Sequence, residues 1–313
     1  MSEILQLPYF TKEEGCFKYL GQYTYLETEG IDSESPAGRK ILLAEGIYVN
    51  KPDFPATEQE GCRTVILEPH PDDAALSASG YMMNAVGVGG VCRVINVFSK
   101  TAIDRFPWKD KVAITEEQLE DLRLEESRLA VEELLGQQFE SLRLPLAGKR
   151  GYEEIFGENH NDQELVQNIT GILIESVLEF GADIVLCPLA VQGHIDHLVT
   201  FDIGVAIKRQ LGEEVKLVLY EDYPYARNKS AYAHRLRSVM DECRLVPEYV
   251  KVDDYLDTMA DTAIIYRSQF DDINRAQMHA IMREDFRAVV AEARFEGVDT
   301  QTECAQRYWR VCI

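Results

Sequence analysis

Three of the chain's six histidines fall in two short segments, each crowded with carboxylates. The first, Glu68-Pro69-His70-Pro71-Asp72-Asp73, sets one imidazole and two aspartates within four residues, and Pro71 narrows the conformations of the turn. The second, Gly193-His194-Ile195-Asp196-His197, sets two imidazoles around one carboxylate. Imidazole nitrogen and carboxylate oxygen are donors that suit a catalytic divalent ion, which takes three protein ligands and keeps one position open. Such an ion polarises a carbonyl and lowers the pKa of water to about 7. The first segment alone also reads as an exposed acidic turn with an aspartate capping a helix. The recurrence of the pattern in the second segment points to a metal site.

Both segments follow runs that read as buried strands, Val65-Ile66-Leu67 and Ile184-Val185-Leu186. In open α/β sheets ligands bind outside the carboxyl ends of the strands, so the two segments would project from one sheet edge. Val91 to Phe98 and Val215 to Tyr220 are further apolar runs of strand length. Helices separate them. Thr115-x-x-Gln118 predicts a capping box before a helix that Gly136 would stop, and Asn161-x-x-Glu164 predicts another before a helix ended by Gly181. Residues 253 to about 295 read as two consecutive helices followed by a short apolar tail. The expected fold is therefore α/β, a Rossmann-like, mostly parallel sheet with helices on both faces. Residues 1–62 differ in texture: strand-like Cys16-Phe17-Lys18-Tyr19-Leu20 and Lys40-Ile41-Leu42-Leu43-Ala44 flank a polar run. They are expected to form a strand-rich extension packed on a main domain of residues 63–313.

The formal charge of −22, from 54 acidic and 32 basic residues, opposes binding to nucleic acid or an anionic membrane. No stretch approaches the roughly 18 apolar residues of a spanning helix, and residues 1–6 lack the basic flank of a signal peptide. The seven cysteines are scattered without a Cys-x-x-Cys pair, which gives neither a thiolate metal site nor a disulfide framework. A soluble, cytoplasmic protein is expected.

The two histidine segments resemble the His-Pro-Asp-Asp and His-x-Asp-His motifs of the LmbE-like, or PIG-L-type, zinc-dependent N-deacetylases. Asn96-Val97-Phe98-Ser99, Leu122-Arg123-Leu124-Glu125-Glu126, Tyr220-Glu221-Asp222-Tyr223-Pro224 and Tyr266-Arg267-Ser268-Gln269 resemble further landmarks in that family's order. The resemblance covers approximately residues 63 to 313. It implies that His70, Asp73 and His197 hold zinc, with iron(II) or cobalt(II) compatible with the same ligands. It implies that Asp72 is the general base, that His194 stabilises the tetrahedral intermediate and protonates the departing amine, and that Asp196 orients the imidazoles. The implied substrate is a small N-acylated, sugar-like molecule, and a homo-oligomer is compatible with the sequence.

Three positions depart from the family pattern. Ala74 stands where a Glu usually follows the two aspartates, and Gln192 stands where some members carry a Tyr. Ala260-Asp261-Thr262 replaces a frequent Lys. These departures keep two rivals in view: an amidase on a larger thiol-sugar conjugate, and a metal-bound but catalytically silent sugar-binding protein. Other chemistry-bearing residues read more plainly. The glycines of Gly87-Val88-Gly89-Gly90 lie in the wrong order for a dinucleotide fingerprint and read as a turn. Cys187 reads as a buried structural thiol, and His160, His234 and His279 as surface or packing residues. Arg123 and Glu126 read as a helical ion pair or as helix-facing contacts, and Arg105 as a solvated side chain.

Overall fold

The computed structural model describes residues 10–13, 16–19, 24–27, 61–102, 114–270, 273–295 and 302–312. Three short strands, β1 (Phe10–Glu13), β2 (Cys16–Tyr19) and β3 (Thr24–Glu27), pair antiparallel in a sheet of their own. The strand expected from Cys16 coincides with β2, whereas the one expected at Lys40 to Ala44 lies outside the described residues.

The main sheet contains β4 (Arg63–Glu68), β5 (Val91–Lys100), β6 (Gln138–Pro145), β7 (Ile184–Pro188), β8 (Lys216–Tyr220), β9 (Arg244–Lys251) and β10 (Ala305–Cys312). Their spatial order is β6-β5-β4-β7-β8-β10-β9. The first five in that order run parallel, and β10 is antiparallel to both of its neighbours. The sheet is thus mixed and mostly parallel. β7 is buried along its whole length and β4 at every residue after Arg63, as their unbroken apolar runs require of interior parallel strands. From β4 the chain builds outward through β5 and β6, then returns to lay β7 on the other side of β4. That reversal opens a crevice at the carboxyl ends of β4 and β7, where a doubly wound sheet binds its ligands.

The helices are α1 (Asp73–Ser77), α2 (Ser79–Gly87), α3 (Glu116–Arg128), α4 (Gln163–Phe180), α5 (Ile195–Leu211), α6 (Lys229–Met240), α7 (Leu256–Ile264) and α8 (Arg275–Phe295). The capping box at Thr115 forms in both directions with Gln118. Beyond α3 the chain widens into a π-helical stretch, Leu129–Leu134, before Gly136 turns at φ 65°. The capping box expected from Asn161 does not form. Helix α4 starts at Gln163, so the N-cap is Asp162, one residue past the Asn161 of the box, and its carboxylate binds Arg150 and Tyr152 and makes no capping bond. The apolar tail expected after residue 295 includes the strand β10, which lies inside the sheet between β8 and β9. Among the described residues no helix is long and apolar enough to cross a membrane.

Helix α5, which carries the second histidine segment, presses on β7 at one small residue. A Cβ on Gly204 would lie 2.4 Å from the Cys187 sulfur and 3.2 Å from its Cβ, inside a fully buried contact. Gly204→Ala should therefore destabilise the protein by about 1–3 kcal/mol in denaturant-induced unfolding. Adding Cys187→Ala, which deletes the obstructing sulfur, should recover part of that loss. Strictly additive losses in the double variant would show that helix and strand do not meet in this way.

Candidate metal centre

All five parallel strands send side chains to one end of the sheet. After β4 the chain turns tightly at His70-Pro71-Asp72-Asp73. The Asp73 carboxylate accepts the His70 amide at 2.8 Å, and the Asp73 amide donates to the His70 carbonyl at 3.2 Å. Asp72 sits at φ 151°, ψ −26°, a conformation that L-residues rarely adopt. Glu68, fully buried, accepts the Ala74 amide at 3.1 Å, so the position where a carboxylate was missed is bonded through its backbone.

After β7 the path is more constrained. Ala190, Gln192 and Gly193 all have positive φ, at 63°, 68° and 71°. Gly193 is required at its position, because a Cβ there would meet the Gly157 carbonyl oxygen at 2.0 Å. The Gly157 amide donates to the Gly193 carbonyl at 2.9 Å, and the Ile195 amide donates to Ile155 at 2.8 Å. Two loops are thereby stitched together where His194 leaves for α5. The His194 Nδ1 accepts the Asp196 amide at 3.2 Å, which assigns the proton of the neutral ring to Nε2.

The donor atoms converge. Asp73 Oδ2 lies 3.5 Å from His70 Nδ1 and 3.4 Å from His197 Nε2. Adjacent ligands of a tetrahedral ion with bonds of about 2.0–2.1 Å stand roughly 3.4 Å apart, so both distances from Asp73 match those between ligands of one ion. His197 Nε2 is fully buried with no hydrogen-bond partner, an arrangement that calls for a ligand. The opposite nitrogens are both held by carboxylates: His70 Nε2 lies 2.9 Å from Asp196 Oδ2, and His197 Nδ1 lies 2.6 Å from Asp222 Oδ1. Metal-bound histidines are oriented in this way. A nitrogen of His194 lies within 4.8 Å of those of His70 and His197. The residues fit a metal ion.

The electrostatics point the same way. Burial works against charge on His70, but Asp196 and Asp73 override it and push its pKa up to about 10. Burial also opposes ionisation of Asp73, yet His197 and His70 hold it down at about 2. The carboxylates around these rings thus draw in positive charge, which a divalent cation would satisfy. His194 has the opposite environment: burial, then His70 and His197, lower it to about 2, so it is neutral. Burial, then the neighbouring Asp73, raises Asp72 to about 7.

A cavity of about 270 Å³ opens beside these groups, with His70, Asp72, Asp73 and His194 in its wall. The structure therefore gathers all six sequence-derived site residues, with Asp196 and His197 buried behind the cavity surface. Several contributors were missed. Asp222 follows β8 in a segment singled out for its resemblance, without a role. Tyr225, three residues on, lines the cavity with its ring 5.4 Å from that of His197. Arg150, which binds Asp196 at 2.6 Å, gave no signal in the sequence.

Other expectations are refined. Arg123 and Glu126 form no ion pair with each other among the described residues: Glu126 holds the Ser268 amide at 2.8 Å, while the buried Arg123 lines the cavity. Gln192 is exposed and borders a different depression, which His70, His194 and His197 do not line. His160 is buried against Asp202 at 3.0 Å. Cys187 is fully buried, and burial raises its thiol pKa, as suits a structural residue. Arg105 lies outside the described residues.

Comparison with known proteins gives this geometry a context. Residues 65–208 match the model of the family described as PIG-L: GlcNAc-PI de-N-acetylase. The 2'-N-acetylparomamine deacetylase of Streptomyces fradiae is 32% identical over 216 residues, which span 67% of this chain and 74% of that protein. Among solved structures, the deacetylase of an antimicrobial pseudoaglycone superposes with a TM-score of 0.62 at 24% identity, over 81% of this chain and 98% of that one. The N,N'-diacetylchitobiose deacetylase of Pyrococcus horikoshii gives 0.55 at 17% identity, over 90% and 94%. These two structures share the fold.

Because Asp222 is the partner that aims His197, its removal should weaken the centre without dismantling it. Asp222→Ala is expected to lower the affinity for Zn²⁺ roughly 10–100-fold, measured by competition with a chromophoric chelator. Unchanged affinity would show that His197 does not depend on this carboxylate to meet an ion.

Proposed function

This chain belongs to the PIG-L family of GlcNAc-PI de-N-acetylases, and from that premise we propose that it hydrolyses the amide of an N-acetylated amino sugar. The products are acetate and the free amine. The observation that carries this reading is the approach of the Asp73 carboxylate to a nitrogen of His70 and a nitrogen of His197 beside a small cavity, with the His197 nitrogen otherwise unpartnered. The paromamine derivative named for the relative of 32% identity is an N-acetylated amino sugar, which supports the substrate class.

His70, Asp73 and His197 would hold the ion, and their nitrogen and oxygen donors favour zinc, with iron(II) or cobalt(II) compatible. When bound, such an ion polarises the acyl carbonyl and acidifies water. The remaining work falls to the chain's own groups. Asp72, at the cavity wall beside Asp73, takes a proton from the attacking water and delivers it to the amine nitrogen as the C–N bond breaks, a role its place in that wall supports. His194, with Nδ1 already accepting a backbone amide, has Nε2–H left to donate. That geometry suits support of the developing oxyanion better than proton delivery, so the two roles expected of His194 divide between it and Asp72. Tyr225 lines the same cavity, and its hydroxyl makes no hydrogen bond among the described residues. Its phenol and that of Tyr223 both belong to the cavity wall, and Gln192 does not. Asp196 acts indirectly, by orienting His70.

The test is a steady-state assay on a panel of N-acetylated amino sugars, with metal content checked for each variant. Asp73→Ala should lose ion and turnover together. Asp72→Asn should keep the ion and lose turnover by roughly 10²–10⁴-fold. His194→Ala should keep the ion and lose roughly 10²–10³-fold, whereas His194→Gln, which restores an N–H donor, should recover part of the loss. Equal loss in both would return His194 to the role of acid. No turnover on any amide, despite a bound ion, would leave a silent binder as the better reading.

A further inference from the structure

The two carboxylates that orient the metal-facing imidazoles are not held alike. Asp222 accepts the Val191 amide at 3.1 Å on its second oxygen. Asp196, fully buried, instead directs its second oxygen at a cation. Arg150 Nη1 donates to Asp196 Oδ1 at 2.6 Å, while Asp196 Oδ2 receives His70 Nε2 at 2.9 Å and the Ala147 amide at 3.2 Å. The same guanidinium donates through Nη2 and Nε to Asp162 Oδ2, at 2.9 and 3.3 Å, and through Nη1 to the Pro145 carbonyl at 2.8 Å. It lies 4.5 Å above the Phe98 ring, and its side chain is only 9% exposed. Asp162 is fixed in turn by the Tyr152 hydroxyl at 3.0 Å.

We propose that Arg150 is a positioning residue for the metal centre, which sets the affinity for the ion by clamping Asp196 and through it the His70 ring. The proposal rests on His70 being a metal ligand. Asp196 is fully buried, and an unpaired buried carboxylate would turn toward any available donor. Arg150 fixes the plane of that carboxylate. The plane fixes the direction of His70 Nε2–H, and the ring then presents Nδ1 to the place shared with Asp73 and His197. Only a planar fork can bridge Asp196 and Asp162 at once; a lysine is a point charge on a flexible stem. The clamp also reaches the substrate side. Arg150 and Asp162 bracket the loop whose Ile155 lines the cavity and whose Phe156 is bridged to His194. The imidazole and the cavity wall therefore share one anchor.

The experiment measures Zn²⁺ affinity by chelator competition for Arg150→Lys and Arg150→Met, each alone and with Asp196→Asn. Thermal stability of the metal-free proteins is recorded in parallel. Both single variants should bind Zn²⁺ roughly 10–100-fold more weakly than the parent, as for other residues behind a metal-bound histidine. On the Asp196→Asn background the Arg150 substitutions should add little, because their route to His70 is already cut. An affinity within about twofold of the parent in folded Arg150→Lys, whatever its melting temperature, would reduce Arg150 to a loop anchor and overturn the proposal. So would a full further loss on the Asp196→Asn background. His197→Ala serves as the separate control: if it binds Zn²⁺ as the parent does, the ligand assignment itself has failed, independently of Arg150.

Discussion

An imidazole can be aimed only by whatever holds its second nitrogen. His70 and His197 each turn one nitrogen toward a common point, and each has the other nitrogen bound by a buried carboxylate. Asp196 and Asp222 are both completely buried, so each needs its own partners before it can serve an imidazole. Much of the surrounding structure meets that need. The turn Ala147–Arg150 delivers a backbone amide and a guanidinium to Asp196, and the loop before His194 delivers the Val191 amide to Asp222. Farther out, Glu221 next to Asp222 binds Arg307, Tyr232 and Trp309, which ties the end of β8 to the C-terminal strand and to α6.

The parallel sheet is what allows so many partners to meet. Residues from position 68 to position 225 reach one end because β4, β5, β6, β7 and β8 all finish there. The strand reversal beside β4 then leaves room between the first and second histidine segments. The cost of this convergence is local strain. Asp72, Ala190 and Gln192 adopt backbone conformations that side chains disfavour, and each lies within four residues of a proposed ligand or of His194. Such strain is tolerated where neighbouring contacts over-determine the chain, and the Gly157–Gly193 crossing is one such contact.

The central strands and the histidine segments were legible in the sequence because their signals are local. Val65-Ile66-Leu67 and Ile184-Val185-Leu186 are unbroken apolar runs, and each is followed within a few residues by the histidines and carboxylates it positions. The illegible parts depend on partners distant in sequence. β6 has half-buried residues in place of a clear apolar run, and β9 carries Pro247 and Glu248, so neither announced itself as a strand. β10 reads Ala-Gln-Arg-Tyr-Trp-Arg-Val-Cys, with Gln306 and Arg307 buried where the Tyr308 hydroxyl donates to Gln306 and Glu221 accepts from Arg307. The capping box at Asn161 had the right residues, but the helix begins one residue too late for it, with Asp162 as an N-cap whose carboxylate is taken by Arg150, which no local pattern reveals. Arg150 itself sits in Leu-Ala-Gly-Lys-Arg-Gly-Tyr, where nothing distinguishes its side chain from a solvated one.

The position of β10 also has a kinetic meaning. β9 pairs only with β10 among the described strands, and more than fifty residues separate the two in sequence. Closing so long a loop costs conformational entropy that must be met before any pairing compensates for it. The pairing of β4 with β7, which brings the two histidine segments together, closes a longer loop still, whereas β4–β5, β5–β6 and β7–β8 each close a shorter one. Folding should therefore build β4-β5-β6 and β7-β8 first, with the union of the two histidine segments and the seating of β10 both waiting on long-range closure.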